Sequence, residues 1–202
     1  MGGPDEQTVN NAVAIATRDG RVHLLYCVEY MRCFHVSSDD DGVTWTAPRE
    51  ITGTLDTFRD RIDWQAVAFG PGHGIEMAGG RLVAPVWMAD YREDRPAPLS
   101  ARASGVVWSD DGGETWEAGA IAVPDGNESW VVERSDGALL LAARNGRPEQ
   151  RRLAATSHDG GESWSESFLI RDLPERGCMA GATRHPGTRR HPGPWLVHSA
   201  PD

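Results

Sequence analysis

The chain has 202 residues, of which 39% are hydrophobic, and its formal net charge is −10. This size and composition are sufficient for one or two globular domains with a buried core. No apolar run approaches the roughly 18 residues of a membrane span, so no membrane span is predicted. The first residues, MGGPDEQTVNN, lack the basic and apolar regions of a signal peptide, and the cellular location stays open, with an extracellular or periplasmic one compatible.

The charge balance and the cysteines exclude further classes of function. Nucleic-acid affinity comes largely from neutralising phosphates, so an acidic chain without a Lys/Arg cluster predicts no nucleic-acid partner. The three cysteines, Cys27, Cys33 and Cys178, are odd in number and form no CxxC motif. They predict neither a disulfide framework nor a metal site, and we expect them to be buried small hydrophobic residues. No cofactor is predicted.

Taken in chain order, short apolar runs separated by turn signals predict strands. The first group is VAIA, RVHLLYC, CFHVS and TAPREI, and the second is GIEM, RLVAPVWM, SGVVWS and EAGAIAV. The third group is SWVVE (129–133), ALLLAAR (138–144), RLAATS and SESFLI. No window shows a sustained 3.6-residue period with helix caps, so the fold class is all-β.

One phrase closes the third strand of each group: SDDDGVTW at 38–45, SDDGGETW at 109–116 and SHDGGESW at 157–164. Its pattern is typical of a tight turn in which the aspartate accepts backbone hydrogen bonds and a glycine takes a positive φ. We expect the tryptophan to cover the core between neighbouring sheets. These residues are Asp40, Asp111 and Asp159; Gly42, Gly113 and Gly161; and Trp45, Trp116 and Trp164.

Repeated groups of four antiparallel strands, with 8 Trp and 23 Gly beside few other aromatics, are typical of a β-propeller. The repeats predict three blades at about 8–56, 57–124 and 125–171, and an incomplete fourth at 172–202. Propellers have about four to eight blades. We therefore expect the chain to be a piece of a longer protein, truncated at both ends.

The third hairpin places two charged residues opposite each other. A three-residue loop at 135–137 pairs Glu128 with Arg144 across the ladder, roughly 26 Å from the turn at about 3.3 Å per residue. Such a pair at the end of a buried hairpin is a candidate pocket. The alternative is a plain cross-strand ion pair, which contributes only about 0.2–1 kcal/mol. Glu133 lies beside the turn and is expected to be solvated.

The repeated phrase resembles the Asp box of the sialidase (neuraminidase) superfamily. The segments DWQAVAFGPGHGIEM and RLVAPVW resemble the family stretch that leads to one rim of the sugar site. The segment NESWVVERSDGALLLAARN is similar to the one that holds the catalytic glutamate and the second of three arginines. The resemblance implies a six-bladed propeller of the sialidase type that hydrolyses terminal α-linked sialic acid with retention. Such exo-α-sialidases use a tyrosine nucleophile instead of the usual second carboxylate.

Residue by residue, the resemblance implies that Glu128 is the catalytic glutamate that polarises the tyrosine. It implies that Arg144 binds the substrate carboxylate and that Trp87 contacts the substrate at the rim, where the alternative is that Trp87 fills core. In GPGHG, His73 is a candidate polar contact to the substrate, and the alternative is a glycine-rich turn. The expected partner is a sialylated glycan.

Other parts of the family's catalytic set have no counterpart in this chain. By the resemblance, the first arginine and the acid/base aspartate would precede Met1, and the third arginine and the tyrosine would follow Asp202. None of Tyr26, Tyr30 and Tyr91 lies in a matching context, so we expect this chain alone to be inactive. The alternative function is a non-catalytic Asp-box propeller that binds carbohydrate or another protein.

Overall fold

The structure is a computed structural model, and it describes residues 7–92, 101–190 and 192–200. Within these ranges the secondary structure consists of strands and one 3-10 helix, which confirms the all-β prediction. The helix spans Thr52–Asp60. Its buried Leu55 and Phe58 are three residues apart, which suits a helix of three residues per turn and explains why a search for a 3.6-residue period misses it.

The strands form four sheets among the described residues. The first sheet has the order β4-β3-β2-β1-β6, with β1 at Val9–Ala16, β2 at Val22–Val28, β3 at Arg32–Ser38, β4 at Arg49–Glu50 and β6 at Gly72–His73. The second has the order β10-β9-β8-β5, with β7 also beside β8 and β11 also beside β9. Its strands are β5 at Ala66–Phe69, β7 at Ile75–Glu76, β8 at Leu82–Ala89, β9 at Arg102–Ser109, β10 at Glu117–Ala118 and β11 at Val123–Pro124.

The third sheet has the order β12-β13-β14-β15, and β16 pairs with β17 in the fourth. The strands are β12 at Ser129–Glu133, β13 at Leu139–Ala143, β14 at Arg151–Ser157, β15 at Phe168–Pro174, β16 at Gly181–Gly187 and β17 at Pro192–Ser199. Three clusters of buried apolar side chains lie within and between these sheets. In the described part of the chain, no helix has the length and apolar character needed to cross a membrane.

The Asp-box turns have the predicted geometry. In the second box, the Asp111 carboxylate accepts hydrogen bonds from the Thr115 backbone N–H (2.8 Å), the Thr115 hydroxyl (2.6 Å) and the Ser109 hydroxyl (2.7 Å). The hydrogen bonds from Thr115 come first among the causes that lower the pKa of Asp111 to about 2. Asp40 and Asp159 accept the equivalent bonds, and the box glycines have positive φ: Gly42 (84°), Gly113 (87°) and Gly161 (105°).

The box tryptophans pack as predicted in two of the three cases. Trp116 is buried and its ring lies 5.4 Å from that of His35 in the first sheet, and Trp164 packs against the second cluster. The prediction is wrong for Trp45, which is 41% exposed. The second and third boxes pack against the preceding sheet, as Gly161 does against Val106 of β9. In the described ranges no sheet precedes the first one, so the Trp45 ring has no such surface to cover.

Two further expectations need correction. Cys178 is exposed, whereas Cys27 and Cys33 are buried opposite each other with their sulfur atoms 3.4 Å apart. The predicted strand GIEM forms only the short strand β7. Both β5 and β7 pair with β8, and in the chain between them β6 leaves this sheet and pairs in parallel with β1. Gly74 lies at this crossing, where a Cβ would be 2.4 Å from the Val83 carbonyl oxygen. The glycine is therefore needed for close packing of backbone.

Candidate active site

Glu128 and Arg144 face each other as the hairpin pattern predicts. The ladder pairs Ser129 with Ala143 and Trp130 with Ala142, which puts Glu128 opposite Arg144 one step beyond the strand ends. The Arg144 backbone N–H donates to the Glu128 carbonyl at 2.8 Å, and Arg144 Nη1 lies 2.8 Å from Glu128 Oε2. The Arg144 side chain is 39% exposed and that of Glu128 is 22% exposed. Both charges are therefore partly open to solvent.

The backbone on both sides of Glu128 is tied to neighbouring structure. Asn127 donates its backbone N–H to the Arg144 carbonyl at 2.8 Å, and its side-chain oxygen accepts from the Glu128 N–H at 2.7 Å. Ser129 donates its backbone N–H to the Gly70 carbonyl at 3.1 Å, which connects β12 with the second sheet. This network holds Glu128 by local and non-local bonds. We call this end of the third sheet the site end, and the opposite end, which carries residues 157–164, the box end.

Trp87 lies near the site end but is largely buried. It pairs across the ladder with Ser104, whose hydroxyl donates to the Asn127 carbonyl at 2.6 Å. The indole is 7% exposed, and its ring centroid is 5.9 Å from that of Tyr30. This burial favours the core-filling alternative, and the substrate contact of Trp87 stays a prediction.

The structure places His73 between two backbone carbonyls beside a cavity. The His73 ring lies between the Gly74 carbonyl (3.0 Å from Nδ1) and the Ala182 carbonyl (2.8 Å from Nε2). It lines a cavity of about 540 Å³ together with Glu133. Glu133 is five residues from Glu128 along the extended chain, or about 17 Å. The predicted substrate contact of His73 stays a prediction.

The expectation that Glu133 is solvated needs correction. It is half-buried, and its carboxylate accepts a hydrogen bond from the Ala78 backbone N–H at 2.9 Å. The contact joins the third hairpin to the turn of the second sheet. Glu133 thus serves packing at the box end.

Two charged residues at the site end were not recognised from the sequence. Arg152 is 1% exposed, and its Nε lies 3.2 Å from Oε2 of the buried Glu175. Arg152 Nη2 also donates to the Cys178 carbonyl at 2.5 Å. The strand register could have revealed Arg152, because Ala143 pairs with Leu153 across the next ladder and Arg152 therefore lies opposite Arg144.

Within the described ranges, no three histidine, cysteine or carboxylate side chains form a group that could hold a metal ion.

Comparison with known proteins identifies the family of this chain. Residues 3–189 match the family of BNR repeat-like domains. The chain belongs to this family. The BNR repeat-like domain described here is 37% identical over 144 residues to a sialidase of Bacteroides fragilis, covering 71% of this chain and 24% of the relative. It is 28% identical over 182 residues to Sialidase-2 of Cricetulus griseus, covering 86% of this chain and 47% of the relative.

A solved structure gives the same result for the fold. The BNR repeat-like domain superposes on a Hadza microbial sialidase with a TM-score of 0.75 and 27% identity, covering 89% of this chain and 37% of that one. The fold is a partial β-propeller of the sialidase type. The chain thus spans less than half the length of these relatives.

Proposed function

We propose that this chain is part of an exo-α-sialidase, a glycoside hydrolase that removes terminal α-linked sialic acid from glycoconjugates with retention. The observation that carries the proposal is the Glu128–Arg144 pair at the site end, 2.8 Å apart and partly open to solvent. The pair occurs in a BNR repeat-like domain whose relatives include sialidases. The chemistry of both side chains suits this substrate.

Arg144 takes the role of carboxylate binder. A guanidinium is planar, keeps its charge at neutral pH and presents a fork of N–H donors that matches a carboxylate. Its backbone is fixed by hydrogen bonds to Asn127 and Glu128, so the side chain projects from a rigid ladder. A fixed cation at the site end would orient the anionic sugar and select for terminal sialic acid.

Glu128 takes the role of base toward a tyrosine nucleophile. A carboxylate within hydrogen-bond distance of a phenol accepts its proton and raises its nucleophilicity. In this proposal the tyrosine, the other two arginines and the acid/base aspartate come from parts of the protein outside these 202 residues.

The test is hydrolysis of a fluorogenic sialoside by the complete protein, compared between Glu128→Gln and Glu133→Gln. Both residues lie on one hairpin strand, so the second variant is a matched control. We expect kcat to fall by about 10²- to 10⁴-fold in Glu128→Gln, the usual contribution of general acid–base catalysis, and to change little in Glu133→Gln.

Unchanged hydrolysis in Glu128→Gln would contradict the role of this residue. Binding of a sialoside without turnover by the complete protein would instead support the alternative, a non-catalytic Asp-box propeller that binds carbohydrate.

A further inference from the structure

Arg152 occupies a position that ordinary packing does not favour. It is among the largest fully buried side chains of the described residues, although its head carries a charge. Burying a charge costs free energy unless the charge is paired and hydrogen-bonded. Here Glu175 supplies the opposite charge and the Cys178 carbonyl accepts one hydrogen bond. Arg152 Nη1 is buried without a hydrogen-bond partner among the described residues, so the arrangement does not maximise stability.

The position of Arg152 explains what the arrangement achieves. Glu128, Arg144 and Arg152 are successive neighbours in one row across β12, β13 and β14, as the flanking pairs Ser129–Ala143 and Ala143–Leu153 show. Residues in one row of an antiparallel sheet point to the same face. Glu128 and Arg144 both interact electrostatically with the Arg152 guanidinium.

The four charges run negative, positive, positive, negative along this row and its edge. Glu128 contacts Arg144 at 2.8 Å, and Arg152 contacts Glu175 at 3.2 Å. The like charge of Arg152 lies on one side of Arg144 and the opposite charge of Glu128 on the other. A buried, immobile cation in this place repels the Arg144 head and attracts the Glu128 carboxylate, which restricts both side chains to one arrangement.

We infer that Arg152, held by Glu175, is a positioning residue for Glu128 and Arg144. This inference rests on the proposed function of that pair. Arg152 does not contact the substrate, since its side chain is 1% exposed. It acts by fixing the two side chains that do, and by holding the segment that carries Glu175 and Cys178 against the site end. Fixed support of this kind typically changes activity by about 10- to 100-fold when it is removed.

The decisive variant is the double substitution Arg152→Met with Glu175→Leu in the complete protein. Replacing both partners leaves no uncompensated buried charge, and such replacements are often neutral for folding. The first readout is the NMR exchange rate of the Arg144 guanidinium N–H groups, which is slow while Glu128 holds them. We expect faster exchange in the folded double variant, and kcat/KM for a fluorogenic sialoside lower by about 10- to 100-fold. The variant Arg152→Lys, which keeps the charge with fewer donors, should recover part of the loss.

The matched control is Arg81→Met at the box end. Arg81 is paired with Asp110 at 2.7 Å and is mostly buried, so its loss tests whether any broken ion pair has the same effect. We expect lower stability in Arg81→Met with Arg144 exchange and kcat/KM unchanged. A folded double variant with slow Arg144 exchange would overturn the inference about Arg152. A parent protein that neither binds nor hydrolyses sialosides would overturn the proposed function, and the exchange rates would still decide whether Arg152 positions the pair.

Discussion

At the box end of the third sheet, the carboxylate of Asp159 accepts hydrogen bonds from Ser157 and Ser163 of its own turn. At the site end, Arg152 is buried with part of its guanidinium unpaired among the described residues. Both ends are rich in charge, but Asp159 is hydrogen-bonded within its own turn, whereas Arg152 depends on the distant Glu175 and Cys178. Buried polar groups without partners are rare in structures and call for an explanation. The contrast agrees with a folding role for the box end and with the catalytic role that we propose for the site end.

The largest expected effect concerns Trp116 of the second Asp box. Trp116→Ala removes a buried indole that packs against the first sheet, and we expect a loss of about 3–5 kcal/mol in the free energy of unfolding. Trp45→Ala, at the equivalent but exposed position, should cost less than about 1 kcal/mol. Urea denaturation of both variants measures the difference. Equal losses would contradict the view that a box tryptophan stabilises through the preceding sheet.

The next effect concerns Arg144 at the site end. Arg144→Lys keeps the charge but loses the planar fork, and we expect kcat/KM on a sialoside to fall by about 10- to 100-fold, mainly through KM. Arg134→Lys is the control, because Arg134 pairs with Asp136 at the box end and should leave the kinetics unchanged. The melting temperatures of both variants should stay close to that of the parent. A Lys variant with parental KM would remove Arg144 from the binding site.

The smallest effect is a pH dependence of stability in the first sheet. Burial, followed by the charges of His23 and Arg49, lowers the pKa of His35 to about 4. The unfolded chain takes up this proton near pH 6.5. Between these values the unfolded state binds more protons, so stability falls as the pH falls through this window, by about 2 kcal/mol between pH 7 and pH 5. Urea denaturation from pH 7 to 4 measures it, and His35→Gln should give a shallower dependence. Stability that stays level in the parent over this range would refute the prediction.

The sequence predicts the local features of this fold well. The register of the third hairpin follows from a three-residue loop closed by the Arg134–Ala138 pair, with Gly137 at φ 82°. The Asp-box hydrogen bonds likewise join residues at most four positions apart. Such features depend on turn chemistry, which a short segment specifies by itself.

Features that depend on distant parts of the chain were missed. The exposure of Trp45 depends on which sheet precedes it, and the crossing of β6 to β1 joins residues about 59 positions apart. The burial of Arg152 depends on Glu175 and Cys178, which reach the site end only after β15 has run along the edge of the third sheet. Periodicity within one segment carries no information about such contacts.

The box glycines have a consequence for how such repeats can be rearranged. A Cβ on Gly113 would lie 2.8 Å from His23 Nδ1, and one on Gly161 would lie 2.7 Å from Val106 Cγ2, each in the sheet before its own. Each of these two glycines is thus fitted to the surface of the sheet that precedes its own. Blade exchange between related proteins should therefore transfer a sheet together with the Asp box of the sheet that follows. The unit of recombination is offset from the visible unit of the repeat.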